Sequence, residues 1–498
     1  MVASVAAYTL IDRFNHDGAP PTLAIQVLPF TAVSSDPEMR QLASATHDAV
    51  AHTLSHSAFA ITVAEPGQQG APPAADFVIS GELSGTPEKV ISTVRMDETA
   101  HHFVVFSHQF ESSRKAVSDF PELIGAQVAS QLSWTAPLIA IERRHPSDPA
   151  ITASIFGSSS AGLESLGPLH DYEVSRRLAA KAPNSPLAQN SLAFNTAFAL
   201  DQIPREERGK AVAEARRAAD RAITLAPEFG GAYISSCLLH SEQRRIECED
   251  HLRAGMRAAP DSAFVGAFLS MLLNDVGRIT EAAELASLSL AHDQYMSTKI
   301  ARTLLTLEST GETEKADALY RRTADWWPHD EAIFENRRAG MAERGDFEAV
   351  QRFEREAGGA DQPTQESIAA VASAVKAHSV RAGREACARP ADDFTKVLCM
   401  LALARLGDLD ASFALADQLY PSRRGRTPAE EERIWLGEPY FMSSAFVAAR
   451  AAAPLRRDPR YLVLAQRVGL LEYWRSGRLP DFCQPPHPEP ICAQLRAR

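Results

Sequence analysis

The rhythm of apolar positions along this chain changes near residue 141. Before that point they come in short blocks. Leu23-Ala24-Ile25-Gln26-Val27-Leu28-Pro29-Phe30 is an apolar run closed by a proline, the pattern of a buried strand. Asp36 and Pro37 then supply an N-cap and a first helical residue, and Met39, Leu42, Ala43, Ala49, Val50 and Leu54 recur at helical spacing, with Thr46 filling the gap on that face. Further strands are predicted over 59–63, 76–83, 90–96 and 102–110, with Ser84-Gly85-Thr86-Pro87 as a turn between two of them. A helix over 116–132 carries Phe120, Leu123, Ile124, Val128 and Leu132 largely on one side. One sheet with two helices against it is the expected result, a small α/β domain over 21–141. Residues 142–184, with His145-Pro146-Ser147-Asp148-Pro149 and Gly157-Ser158-Ser159-Ser160, read as a linker or crossover.

Beyond the linker the alternation of strands is gone and a longer period takes over. Gly277, Gly311 and Gly345 are 34 residues apart, and each is followed four or five positions later by a small residue, Ala282, Ala316 or Ala349. Pro227, Pro260 and Pro328 keep nearly the same beat, with His292-Asp293 in the slot where another proline is expected. A glycine reverses the chain between two helices, a small residue lets them approach, and proline ends the second helix. The period predicts tetratricopeptide-like helical hairpins over 185–359. Register is lost after about Gly359, so 360–498 is expected to hold irregular helices, over about 364–387, 391–405, 409–419, 428–435, 440–453 and 458–475, and a cap. The fold class is thus α+β: a small α/β amino-terminal domain followed by an α-helical tetratricopeptide-like solenoid.

With 498 residues, more than one folding unit is required. The net charge of -12 gives no long-range attraction to a polyanion, and Arg143-Arg144, Arg244-Arg245 and Arg423-Arg424-Gly425-Arg426 are too scattered to form a basic surface, so no direct nucleic-acid contact is expected. The apolar stretch from Val2 to Ile11 is too short to span a bilayer; it reads either as the end of a tether before residue 11 or as a terminal segment of the domain. Six cysteines fall into local pairs, Cys237 and Cys248, Cys387 and Cys399, Cys483 and Cys492, at separations of 11, 12 and 9. That arrangement fits disulfides in an oxidising compartment, and the absence of C-x-x-C argues against a zinc ribbon or a thioredoxin-like site.

Candidate chemistry is sparse. There is no phosphate loop, H-E-x-x-H or G-x-S-x-G motif. His52 and His56 share a helix face, and His102 and His108 a strand face, but neither pair has an evident third ligand, so no metal, cofactor or catalytic residue is expected. Tyr233 and Tyr295, near the starts of first helices, and Trp326 and Trp327, at the end of a second helix, are the candidates for contact with a protein, peptide or small signal molecule along the concave groove.

The strand ending Leu28-Pro29-Phe30 before a helix at Asp36-Pro37-Glu38, the strand Asp76-Phe77-Val78-Ile79-Ser80-Gly81-Glu82-Leu83, the later strand Val104-Val105-Phe106-Ser107-His108-Gln109-Phe110, the repeats, and the ending Leu470-Leu471-Glu472-Tyr473-Trp474-Arg475 with Leu479-Pro480-Asp481-Phe482-Cys483 together resemble a bacterial family. It is the periplasmic region of membrane-anchored regulators in which a TolB amino-terminal-like domain precedes tetratricopeptide repeats, with a winged-helix or adenylate-cyclase domain on the cytoplasmic side. The resemblance covers most of the chain, without either output domain or a membrane span. It implies a non-enzymatic sensory or protein-binding module in signalling or transcription regulation, located in the periplasm and tethered to the inner membrane. The alternatives are a cytoplasmic scaffold, an enzyme with its site at the domain junction, and a structural component whose groove is filled by its own tail.

Overall fold

The computed structural model describes residues 24–55, 60–63, 75–99, 104–159, 167–239, 245–260, 262–328, 330–358, 361–420, 444–486 and 488–496. Val2 to Ile11, Phe59, His56, His102 and the helix expected over 428–435 lie outside them.

The amino-terminal domain is one sheet of strands β1 (Ala24–Val27), β2 (Thr31–Ala32), β3 (Ala60–Val63), β4 (Phe77–Gly85), β5 (Lys89–Glu98) and β6 (Val104–Ser113). Their order is β3-β1-β4-β5-β6, with β2 also on β4. β1 runs parallel to β3 and β4, whereas β4, β5 and β6 form an antiparallel meander. Helices α1 (Pro37–Ser55) and α2 (Phe120–Arg144) lie side by side, and their apolar residues join those of the strands in one core around Ile25, Ile79, Val94 and Phe106. Asp36 accepts the amide of Glu38 as α1 begins, and the Thr46 hydroxyl donates to the carbonyl of Leu42, which lets a polar residue complete the buried face.

Eight helical hairpins follow among the described residues: α3 (Pro149–Ser159) with α4 (Pro168–Lys181), α5 (Pro186–Ala199) with α6 (Arg205–Leu225), α7 (Gly230–Leu238) with α8 (Arg245–Ala258), α9 (Ala263–Asp275) with α10 (Ile279–His292), α11 (Ser297–Thr310) with α12 (Thr313–Thr323), α13 (Glu331–Arg344) with α14 (Phe347–Ala357), α15 (Gln362–Lys376) with α16 (Val380–Ala386), and α17 (Asp393–Leu406) with α18 (Leu409–Leu419). The turn inside a hairpin is built repeatedly in one way. Gly277, Gly311, Gly345 and Gly407 have φ of 79°, 86°, 82° and 89°. The next amide donates to a carbonyl five residues back, Arg278 to Leu273, Glu312 to Leu307, Asp346 to Met341 and Asp408 to Leu403, closing each first helix with a Schellman-type bond.

Three expectations need correction. The described part of 142–184, expected as a linker or crossover, is largely helical: α2 continues through Pro137 to Arg144, and α3 and α4 make the first hairpin, because Ile141, Ile155 and Leu178 bury themselves in one cluster with Leu187 and Phe229 of the following repeats. Nor does the hairpin pattern stop near Gly359. It runs on to Leu419, and the helix expected over 364–387 is a hairpin whose turn residue is His378, at φ 49°, in the role played elsewhere by glycine. Finally, 440–443 lie outside the described residues, and the rest of the helices expected over 440–453 and 458–475 is broken up, into α19 (Ala445–Ala448) with a 3-10 turn Arg450–Ala452, and α20 (Arg460–Arg467) with α21 (Leu470–Arg475), which are separated by Gly469 at φ 75°.

This carboxyl-terminal segment, ending in α22 (Ile491–Arg496), lies over the turn ends of the first helices. α19 packs on α9, and the 3-10 turn packs on α13 and α17. The Trp474 indole donates to the carbonyl of Val276 at 2.9 Å, and the Asp481 carboxylate accepts the amide of Thr280 at 2.8 Å, capping α10 from a distant part of the chain. Beneath it Glu249, 1% exposed, receives Arg253 and Arg278 at 2.8 Å, the Tyr473 hydroxyl at 2.7 Å and Arg478 at 3.0 Å.

Two consequences can be measured. A Cβ on Gly340 of α13 would stand 2.5 Å from the Leu305 carbonyl oxygen and 2.6 Å from the Glu308 Cβ of α11. Gly340→Ala therefore forces two first helices apart and should lower stability by about 1–3 kcal/mol, read as a shift of the urea midpoint. The carboxyl of Glu249 is pushed up by burial, but the hydrogen bonds from Tyr473 and Arg253 and the charge of Arg278 outweigh this and hold it below the ordinary value. A depressed folded value contributes stability above the unfolded pKa that is lost as pH falls through the folded one. Glu249→Gln should thus be less stable than the parent near neutral pH, and the gap should narrow as pH drops below about 4.3, in urea titrations run across that range.

Candidate functional site

Helix α2 belongs to both halves of the molecule. Its first turns cover the sheet through Ile124, Val128 and Leu132, while Ile141 near its far end joins the core of the first hairpins. Two polar links hold its carboxyl-terminal end: Arg143 pairs with Asp76 of the sheet domain, and His145 Nε2 meets Glu228 Oε1, on the turn before α7, at 2.9 Å. Earlier in the helix, Gln127, Gln131 and Trp134 are spaced for one face, and Gln127 and Trp134 reach the array. Gln127 Nε2 reaches the carbonyl of Trp326 at 3.4 Å, and the Trp134 ring lies 4.1 Å from that of Phe264 at the start of α9.

Facing α2 is the turn from α10 to α11. Tyr295 is buried in the core of the amino-terminal domain, its ring 5.1 Å from that of Trp326. Trp327 donates its indole N–H to the Tyr295 carbonyl at 3.1 Å and packs against the α11 and α12 cluster. Asp293 Oδ1 accepts the Tyr295 amide at 3.3 Å, and Oδ2 accepts Lys299 Nζ at 2.9 Å. Lys299 is 3% exposed and its Nζ lies 5.2 Å from the centre of the Phe264 ring. Burial lowers its pKa, and the Asp293 carboxylate offsets part of the drop. Burial likewise pushes the Tyr295 phenol up.

Of the four aromatic residues singled out in the sequence, the structure therefore gathers three, Tyr295, Trp326 and Trp327, at one junction. Tyr233 lies elsewhere, buried between repeats, where its hydroxyl donates to the carbonyl of Pro227 at 3.1 Å and its ring leaves no room for a side chain at Gly255. The first helices α11 and α13 are covered almost all round, down to Thr303, Glu308, Arg337 and Glu343. Their polar side chains are spent on each other: Glu308 on Arg337 and Arg344, and Glu343 on Asn274 and Ser309. Lys299 and Gln131 escaped the sequence reading because both sit among core positions. The signal was present at Asp293, which stands where the repeat elsewhere ends in proline.

The six cysteines form the three local disulfides Cys237–Cys248, Cys387–Cys399 and Cys483–Cys492. Each ties a helix to its neighbour or closes the terminal cap, and three such bonds are the mark of an oxidising, extracytoplasmic environment. No described helix is long and apolar enough to cross a membrane, and no group of three or more His, Cys, Asp or Glu among the described residues is placed to hold a metal. The sequence matches no protein-family model, and no curated protein matches it.

Trp326 is one of the contacts between the two halves, packed on the amino-terminal core beside Tyr295. Trp326→Ala should cost about 3 kcal/mol and uncouple the amino-terminal domain from the array, so that a single urea transition splits into two.

Proposed function

We propose that this chain is the extracytoplasmic sensory part of a membrane-anchored bacterial regulator, and that it receives a small signal molecule or peptide where the α/β domain meets the helical array. The observation that carries this reading is α2, one rigid helix that is core to both halves, so that a ligand bound beside it changes the packing of both. The three disulfides support a compartment outside the cytoplasm, and the resemblance of the strands, repeats and carboxyl end to periplasmic sensor regions supports the regulator. Within this reading the periplasm is the compartment, and the output, a DNA-binding or nucleotide-cyclising domain, lies on the other side of the membrane. No step of catalysis is assigned to the chain.

The carboxyl-terminal segment lying over the turn ends of the first helices favours one feature of the structural alternative: that edge is already occupied by the chain itself. A partner therefore approaches at the junction or on the outer helices.

Mass-spectrometric counting of thiols, on protein alkylated without reduction as it leaves its native cells, decides the compartment. Three intact disulfides with the local pairing are expected. Six alkylated cysteines would sink the extracytoplasmic reading and leave a cytoplasmic scaffold.

A further inference from the structure

Glu249 and Glu308 are each met by more than one arginine, but at one place in the array two carboxylates share a single one. Arg338 of α13, 8% exposed, donates from Nη1 to Glu354 Oε1 of α14 at 3.1 Å and from Nη2 to Glu335 Oε1 of α13 at 3.0 Å. Its guanidinium lies 4.2 Å from the centre of the Phe394 ring of α17 and 5.4 Å from that of Phe334. Three helices therefore meet on one cation. Glu354 is 1% exposed, and its Oε2 has no hydrogen-bond partner among the described residues. A buried carboxylate satisfied on one oxygen only is costly while ionised, and uptake of a proton relieves it.

The charged groups around the pair do not supply a second cation. From α13 come Glu335 and Glu331, and from the cap of α17 the Asp392 carboxylate, which accepts the Thr395 amide at 2.7 Å. Arg337 lies on the Phe353 ring but is committed to Glu308 and Asp317. On α15, Lys376 pairs with Glu348 at 3.3 Å and Glu366 accepts from Gln362 at 2.9 Å. Lys396 of α17 pairs with Asp393, and Arg352 and Arg355 of α14 are exposed. Burial pushes the carboxyls of both Glu354 and Glu335 up; Arg338 offsets part of this and Asp392 adds to it.

We propose that Glu354 and Glu335 bind one proton between them as pH falls, at Oε2 of Glu354, and that this proton tightens the joint of α13, α14 and α17. The proton comes from water, the Arg338 bond to Oε1 stays, and the two carboxylates with their guanidinium pass from one net negative charge to none. A folded-state pKa raised above the unfolded value of about 4.3 contributes stability that is full below the unfolded value and is lost as pH rises through the folded one. The sign is opposite to that of Glu249. The array is thus firmer at this joint in acid and looser toward neutral pH, whatever binds at the α2 junction.

The test compares the full chain with Glu354→Gln, which fixes the neutral form and keeps an acceptor for Arg338, in urea titrations over roughly pH 4.5 to 7.5. Near neutral pH the variant should have a midpoint at or above that of the parent, and the parent should gain on it as pH falls. Glu335→Gln, which leaves Arg338 to Glu354 alone, should also flatten the pH dependence, and it carries the test if Glu354→Gln does not fold. Infrared difference spectra of the parent between neutral and acid pH should show the carbonyl stretch of a buried neutral carboxyl, absent from Glu354→Gln. A variant midpoint below the parent at neutral pH, with the gap narrowing in acid, marks an ordinary ion pair and overturns the proposal. So does a gap that is constant across the range, or an infrared band that survives in Glu354→Gln.

Discussion

Buried charge is the constraint around which this molecule is organised. Glu249, Glu308, Glu343 and Glu354 are each 1% exposed, and every one of them is held by a side chain from another helix or from the carboxyl-terminal segment. Glu308 of α11 takes Arg337 and Arg344 from the next repeat, and Glu354 takes Arg338 from its own hairpin partner. Such pairs add little net stability, because desolvation cancels most of the attraction, but separating one leaves a buried charge at a cost of about 3–5 kcal/mol. Apolar helix faces tolerate sliding by a turn; these pairs do not. They set the register of the stack, and the arginines add shape by lying on rings, Arg337 on Tyr320 and Phe353, Arg338 on Phe394.

A stack of hairpins has two exposed ends and an exposed inner edge. Here the chain covers them with its own termini. At one end α2 and α3 bring the sheet domain onto the first repeats. Along the turn edge the carboxyl-terminal segment reaches α9, α13 and α17, helices that are far apart in sequence, and the Cys483–Cys492 disulfide closes the loop that holds Asp481 in place over α10. The other two disulfides act within the array, Cys237–Cys248 across one hairpin and Cys387–Cys399 between α16 and α17. The crosslinks thus fall where hairpins are shortest: α7 has nine residues and α16 has seven.

The parts of this fold that were legible in the sequence are those with a local cause. Gly277, Gly311 and Gly345 announce the turns because the Schellman geometry demands positive φ, and the strands of the sheet announce themselves by alternation. What was illegible has a non-local cause. The repeats seemed to end at Gly359 because His378 makes the next turn without a glycine. The sequence marks an end of α2 near Leu132 because Ser133 and Pro137 mimic a boundary, whereas its last turns are held by hairpins far along the chain. The cysteine pairing was visible because each pair is close in sequence. The sequence marks Tyr295, Trp326 and Trp327 as contact candidates, and only the three-dimensional packing of the sheet domain brings them together at a junction.

The same constraint explains why the junction stands apart from the rest of the interior. Among the buried charges, Glu249 and Glu308 of the array are each answered by more than one arginine, and Glu343 by Asn274 and Ser309. At the junction the balance is reversed. Lys299 is answered by one carboxylate, Gln131 Nε2 has no acceptor among the described residues, and the packing is aromatic, Trp134 with Phe264 and Tyr295 with Trp326.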